Sequence, residues 1–146
     1  MRKMKQTSID AEVMQLSVYC DIVVGILKSI EELSINKVMV FAYILKKNRF
    51  YKKKVFTANS KVNIVIKALT LLNGLRDDYF YNIEYIVKAI DILVKKEIIT
   101  VKDDNLLLKD KLYVSKIDIP VFFKHVIEES ENFTDRQFLK EVLDNV

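Results

Sequence analysis

Apolar positions recur along most of the chain at helical spacing, interrupted by short polar segments rather than by long loops. From about Ser8 to Leu33, residues Ile9, Val13, Leu16, Cys20, Val23, Val24, Leu27 and Ile30 fall three or four apart. Val18, Tyr19, Ile22 and Ile26 widen that stripe. A helix apolar over so much of its girth is expected to be buried on more than one side, with Ser8 or Asp10 capping its start. A second helix is predicted from Ile35 to Lys47 behind a Ser34 cap, with Val38, Phe41, Ala42 and Leu45 inward. Val55-Phe56-Thr57 reads as a short strand. Asn59 or Ser60 then caps a third helix bearing Val62, Ile66, Leu69 and Leu72, which Asn73-Gly74 stops.

The polar turn Arg76-Asp77-Asp78 follows, and Asn82 is expected to cap a helix with Ile83, Ile86, Val87, Ile90, Leu93 and Val94 on one face. Its outer face pairs Glu84 with Lys88 and Asp91 with Lys95 in the favourable i, i+4 order. Ile98 to Lys102, the turn Asp103-Asp104-Asn105 and Leu106 to Lys109 read as a hairpin. Ile119 to Glu129 is predicted helical with Pro120 in its first turn, and Thr134 with Gln137 forms a capping box for a last helix to about Leu143.

The resulting class is mainly α, with a winged-helix-like core in the order helix, strand, helix, helix, β-hairpin. Residues 1–33 are expected to be an N-terminal helical extension, 34–110 the core and 111–146 a C-terminal helical segment, all in one compact domain. The 146-residue length suits one domain, and two glycines and one proline leave no room for a flexible linker. The single cysteine excludes an intrachain disulfide. Asp10, Glu12 and Asp21 interrupt the segment where a signal core would sit, and no apolar run is long enough to span a bilayer. A cytoplasmic protein is expected.

Charge changes this picture more than composition does. Net charge is +4, yet eight basic residues (Lys46, Lys47, Arg49, Lys52, Lys53, Lys54, Lys61 and Lys67) lie between positions 46 and 67 with no acid among them. The rest of the chain is therefore net acidic, most clearly from Ile117 to Val146. Lys46, Lys47, Arg49, Lys52, Lys53, Lys54 and Lys61 are candidate phosphate contacts, and the interleaved Phe50 and Tyr51 could stack on bases or meet a protein. A solvated lysine-rich loop is the competing reading. Arginine is scarce, which favours phosphate contact over base reading.

No catalytic constellation assembles, so an enzyme is not expected. His125 is the one histidine, the two glycines stand apart from each other, and the carboxylates sit beside lysines at helical spacing. No cofactor or metal is implied. In a winged-helix DNA binder the last core helix enters the major groove and the wing touches the backbone. Here that helix carries balanced charges, the wing tip is acidic, and the expected connection from Leu75 to Tyr81 is long for a tight helix-turn-helix. Tyr79, Phe80 and Tyr81, with Phe50 and Tyr51, are candidate protein contacts, core packing of some being the alternative.

Glu32-Leu33-Ser34-Ile35 opening an apolar helix, and the helix Ile83 to Val94 running into Lys96-Glu97-Ile98-Ile99-Thr100-Val101 and a short wing, carry a family likeness. From about Ile30 to Leu108 the chain resembles the middle components of bacterial three-component ABC-ATPase systems and the accessory subunit of Lamassu-type anti-phage systems. The resemblance implies a non-catalytic subunit bridging an SMC- or Rad50-like ATPase and an effector, possible DNA contact being limited to non-specific phosphate interactions. A self-standing winged-helix transcriptional regulator is the alternative.

Overall fold

A computed structural model describes residues 2–47 and 63–146, with side chains from residue 8 onward. The expected strand at 55–57, the Asn59 or Ser60 cap, and Arg49, Phe50, Tyr51, Lys52, Lys53, Lys54 and Lys61 lie outside those residues. Helix α1 spans Arg2–Ser29, strand β1 Glu32–Ser34 and helix α2 Ile35–Lys47. After the undescribed stretch come α3 (Ile64–Leu69), a 3₁₀ turn (Thr70–Leu72) and α4 (Arg76–Lys95). Strands β2 (Ile99–Lys102) and β3 (Asn105–Leu108) precede α5 (Val121–Glu129), a second 3₁₀ turn (Ser130–Asn132) and α6 (Asp135–Asn145).

The molecule is mainly α-helical with a winged-helix-like core. Its sheet is antiparallel in the order β1-β3-β2, with Leu33 opposite Leu106 and Thr100 opposite Leu107. Among the described residues the third strand of the sheet is Glu32–Ser34, read from sequence as the approach to a helix. Three residues are too few for alternation to show, and only pairing with β3 extends them. Ser34 still serves the following helix, since its Oγ accepts a bond from the Lys37 amide at 3.3 Å.

The strand's position also bears on α1, which ends three residues before β1 and packs against α2, α4 and β3. Every residue from Ile22 to Leu27 is buried or, at Gly25, closely covered. At Gly25 a Cβ would lie 3.2 Å from Ile119 Cδ1 and 3.3 Å from the Ile117 carbonyl oxygen, so the connection to α5 crosses α1 where no side chain intervenes. The first half of α1 differs, because no residue from Ser8 to Val18 is fully buried.

α2 is the central element. Lys37, Val38 and Val40 to Leu45 are all buried, leaving little of this helix in contact with solvent. It lies among α1, α4, α6 and the sheet. Phe41 meets Phe138 of α6 with ring centroids 5.3 Å apart, and Tyr43 meets Tyr79 of α4 edge-on at 5.1 Å. Burying each such apolar side chain stabilises the fold by about 1.5–3 kcal/mol before ordering entropy is counted.

α4 begins at Arg76, seven residues before the expected start at Ile83. Asp77 and Asp78 occupy its first turn, where carboxylates favour the positive end of the helix dipole. Asn82 is therefore not a cap: it points inward, and its Nδ2 donates to the Asp78 carbonyl at 2.8 Å. The connection into α4 shrinks to residues 73–75, with Gly74 at φ 77°. The apparent excess length of this connection, which argued against a helix-turn-helix, is removed. Asn63 caps α3 by accepting from the Val65 amide at 2.8 Å. The hairpin follows the sequence pattern closely, with Asp103 and Asp104 both at positive φ in a two-residue turn. Thr134 and Gln137 form the expected reciprocal cap of α6.

Candidate interaction surfaces

Two of the candidate phosphate-contacting lysines are described, and both are held by the protein itself. Lys46 and Lys47 close α2, where the helix dipole favours cations. Lys46 turns inward: its Nζ lies 4.8 Å from the centre of the Tyr19 ring and donates to Gln15 of α1. A weaker contact at 3.4 Å reaches Asn82 Oδ1, which also accepts the Tyr19 hydroxyl at 2.8 Å. Burial lowers the Lys46 pKa, with the neighbouring Lys47 charge acting in the same direction.

Lys47 pairs with Asp78 Oδ2 at 2.8 Å, and the same oxygen accepts the Tyr43 hydroxyl at 2.5 Å. The bond from Lys47, then that from Tyr43, holds the Asp78 carboxyl below the usual carboxylate range. These two linked sets join α1, α2 and α4 where the basic stretch begins.

The outer face of α4 presents exposed side chains of mixed chemistry. Of the three adjacent aromatic candidates, Tyr79 is 8 % exposed, whereas Phe80 and Tyr81 are 50 % and 66 % exposed. Tyr79 is a core residue packed on Tyr43, which corrects its place among candidate contacts. Phe80 carries the Arg76 guanidinium 5.8 Å from its ring centre, and the Tyr81 and Tyr85 hydroxyls lie 3.3 Å apart. Lys88 binds both Glu84, at 3.2 Å, and Glu12 of α1, at 3.3 Å, while Lys95 binds Asp91 at 2.8 Å. Lys88 and Lys95 are thus paired, and Val87 is exposed on the same helix. Ile9, Val13 and Met14 on the first half of α1 add a further exposed apolar group.

The wing tip presents Asp103 and Asp104 to solvent, and the Asp104 carbonyl accepts the Ile35 amide at 3.0 Å. Beyond the other edge of the sheet, Glu31, Glu32, Glu131 and Asp135 line a groove floored in part by Lys37. Lys37 is 6 % exposed, and its Nζ donates to the carbonyls of Ser130 at 2.8 Å and Phe133 at 2.6 Å. Its role is to tie α2 to the turn between α5 and α6.

Among the described residues no group of three or more histidine, cysteine or acidic side chains is arranged to hold a metal ion. Cys20 donates to the Ala89 carbonyl at 3.7 Å, and burial pushes its thiol up, which suits packing rather than nucleophilic attack. His125 lies exposed on α5, 3.9 Å from Glu128. No helix among the described residues is long and apolar enough to cross a membrane. Sequence reasoning missed Lys37, Tyr43, Asp78 and Asn82 as organising residues. Each is a polar group within or beside an apolar helix, and its partner lies on another element.

No protein-family model matches the chain, and no solved structure matches it. It is similar to an uncharacterized protein of Methanocaldococcus jannaschii, 36% identical over 94 residues. The match covers 62% of this chain and 57% of that relative, so the chain spans less than two thirds of the relative's length.

Proposed function

We propose that the protein is a non-catalytic adaptor that docks on a larger protein through the outer faces of α4 and the first half of α1. The observation carrying this reading is the chemistry of α4. It occupies the position of a recognition helix, yet its exposed lysines are paired with Glu84, Glu12 and Asp91 while Phe80, Tyr81 and Val87 face solvent. Paired lysines and an acidic wing suit phosphates poorly, whereas exposed aromatic side chains are favoured at protein interfaces. The likeness to middle components of three-component ABC-ATPase systems supplies the partner class, an SMC-like ATPase bridged to an effector in bacterial anti-phage defence. In this reading ATP is handled by the partner, and any DNA contact is through phosphates at the basic stretch beginning at Lys46.

Affinity purification of the tagged full chain from its host tests this reading. Recovery of a long coiled-coil ATPase in fixed stoichiometry, lost on Phe80→Asp or Tyr81→Asp, is expected. A clean monomer with no ATPase under the same conditions overturns it.

One observation favours the alternative of a self-standing regulator: the connection of residues 73–75 between the 3₁₀ turn and α4 has helix-turn-helix length. That reading requires sequence-dependent binding of duplex DNA by the isolated chain. Equal affinity for unrelated duplexes excludes it.

A further inference from the structure

The start of the basic stretch is restrained by a carboxylate that is part of the fold. Asp78 sits in the first turn of α4, at the positive end of that helix, and receives both the Lys47 ammonium and the Tyr43 hydroxyl on Oδ2. An ammonium, a hydroxyl donor and a helix N-terminus are together the surroundings that protein sites offer a phosphate oxygen. Lys47 and Asp78 remain 41% and 38% exposed, so an incoming anion can reach the pair.

We propose that Asp78 acts as a built-in competitor for nucleic-acid phosphate, holding Lys47 until a backbone phosphate displaces it. Lys46 is not part of this exchange, because its ammonium is turned into the network of Gln15, Tyr19 and Asn82. Asp78→Asn removes the charge yet keeps an oxygen for the Tyr43 hydroxyl, and it leaves the Asp78 carbonyl that Asn82 binds untouched. The exchange rests on the phosphate-contact part of the reading above and is independent of the ATPase partner.

The test is binding of the full chain to a fluorescently labelled duplex DNA, followed by anisotropy across a salt series. Asp78→Asn is expected to bind about threefold to tenfold more tightly at low salt, and its log-log salt slope should steepen by about 0.9, the value for one added phosphate contact. Asp77→Asn removes the same formal charge one residue away and controls for net charge. In the wild-type chain Lys47→Ala should change affinity less than about twofold, whereas in the Asp78→Asn background it should erase the gain. Asp78→Ser serves the same purpose if a thermal melt shows Asp78→Asn to be unfolded. Equal affinities for the Asp78 and Asp77 variants, or a gain that survives Lys47→Ala, overturn the competition alone. No binding by any variant at low salt overturns the phosphate contact with it.

Discussion

The Tyr19 hydroxyl donates to Asn82 Oδ1 at 2.8 Å, joining α1 to α4 across 63 positions of chain. Both side chains are buried, and Asn82 Nδ2 donates to the Asp78 carbonyl of its own helix. Removing Asn82 leaves the Tyr19 hydroxyl unsolvated, and removing the hydroxyl leaves Asn82 Oδ1 only the weaker 3.4 Å contact with Lys46, so the bond matters more when half broken than when absent.

Tyr19→Phe is expected to destabilise the protein by about 1–2 kcal/mol and Asn82→Leu by about 2–3 kcal/mol. The double variant should cost less than their sum, because neither orphaned group remains. Urea denaturation of the four proteins measures this coupling. Strict additivity would show that the bond contributes nothing specific.

Lys37→Met is expected to loosen the C-terminal segment in particular. It strips the Ser130 and Phe133 carbonyls of their shared donor inside a nearly closed site, at a cost of about 2–3 kcal/mol. Hydrogen exchange should quicken first across residues 121–145, while α1 and α4 keep their protection. Uniform acceleration over the whole chain would argue against a local tether.

Stability should fall at alkaline pH. Burial pushes Tyr79 up to about 12 and raises Tyr19 and Tyr43 as well, each from the ordinary value of 10.0. A raised folded pKa means the unfolded chain releases these protons first, so the contribution is complete below pH 10 and is lost as pH climbs toward and beyond 12. Lys37 and Lys46, lowered by burial, act oppositely and add stability as pH rises toward 10.5. Each tyrosine left protonated only in the native state steepens the loss by about 1.4 kcal/mol per pH unit. Absorbance at the phenolate band, followed beside circular dichroism, should show three tyrosines ionising only with unfolding. Ionisation of all seven near pH 10 in a native chain refutes this.

Gly25→Val is expected to displace the connection that leads into α5. Its side chain would meet Ile119 and, less yieldingly, the Ile117 carbonyl, so a cost of about 1–3 kcal/mol follows from overpacking despite the better fit of a non-glycine residue to a helix. Gly25→Ala should cost less, since its single carbon, 3.2 Å from Ile119 Cδ1 and 3.3 Å from the Ile117 carbonyl oxygen, asks its neighbours to give way only slightly. A thermal melt of both variants ranks them. A stabilised Gly25→Val would mean the crossing is looser than drawn.

Helical spacing was enough to locate the bodies of α1, α2 and α4, and the Asp103-Asp104 turn located the hairpin, whereas Ser8 and Asp10, expected to cap α1, lie inside a helix that begins at Arg2. The Thr134 and Gln137 cap was legible because it is a reciprocal bond three residues apart. Local pattern could not reveal β1, since Glu32–Ser34 becomes a strand only by pairing with Leu106 and its neighbours more than seventy residues later. It could not reveal the true start of α4 either, because Asn82 has the chemistry of a cap and is taken inward by Tyr19.

The basic stretch, the acidic wing tip and the alternating charges of α4 were set by residue order. Which lysines are spoken for, that Tyr79 is core while Phe80 and Tyr81 are not, and that Lys37 holds a distant turn were decided only by tertiary structure. Charge and hydrophobicity are properties of each residue, whereas partners depend on which surfaces the packing of α1, α2 and α4 brings within hydrogen-bonding distance.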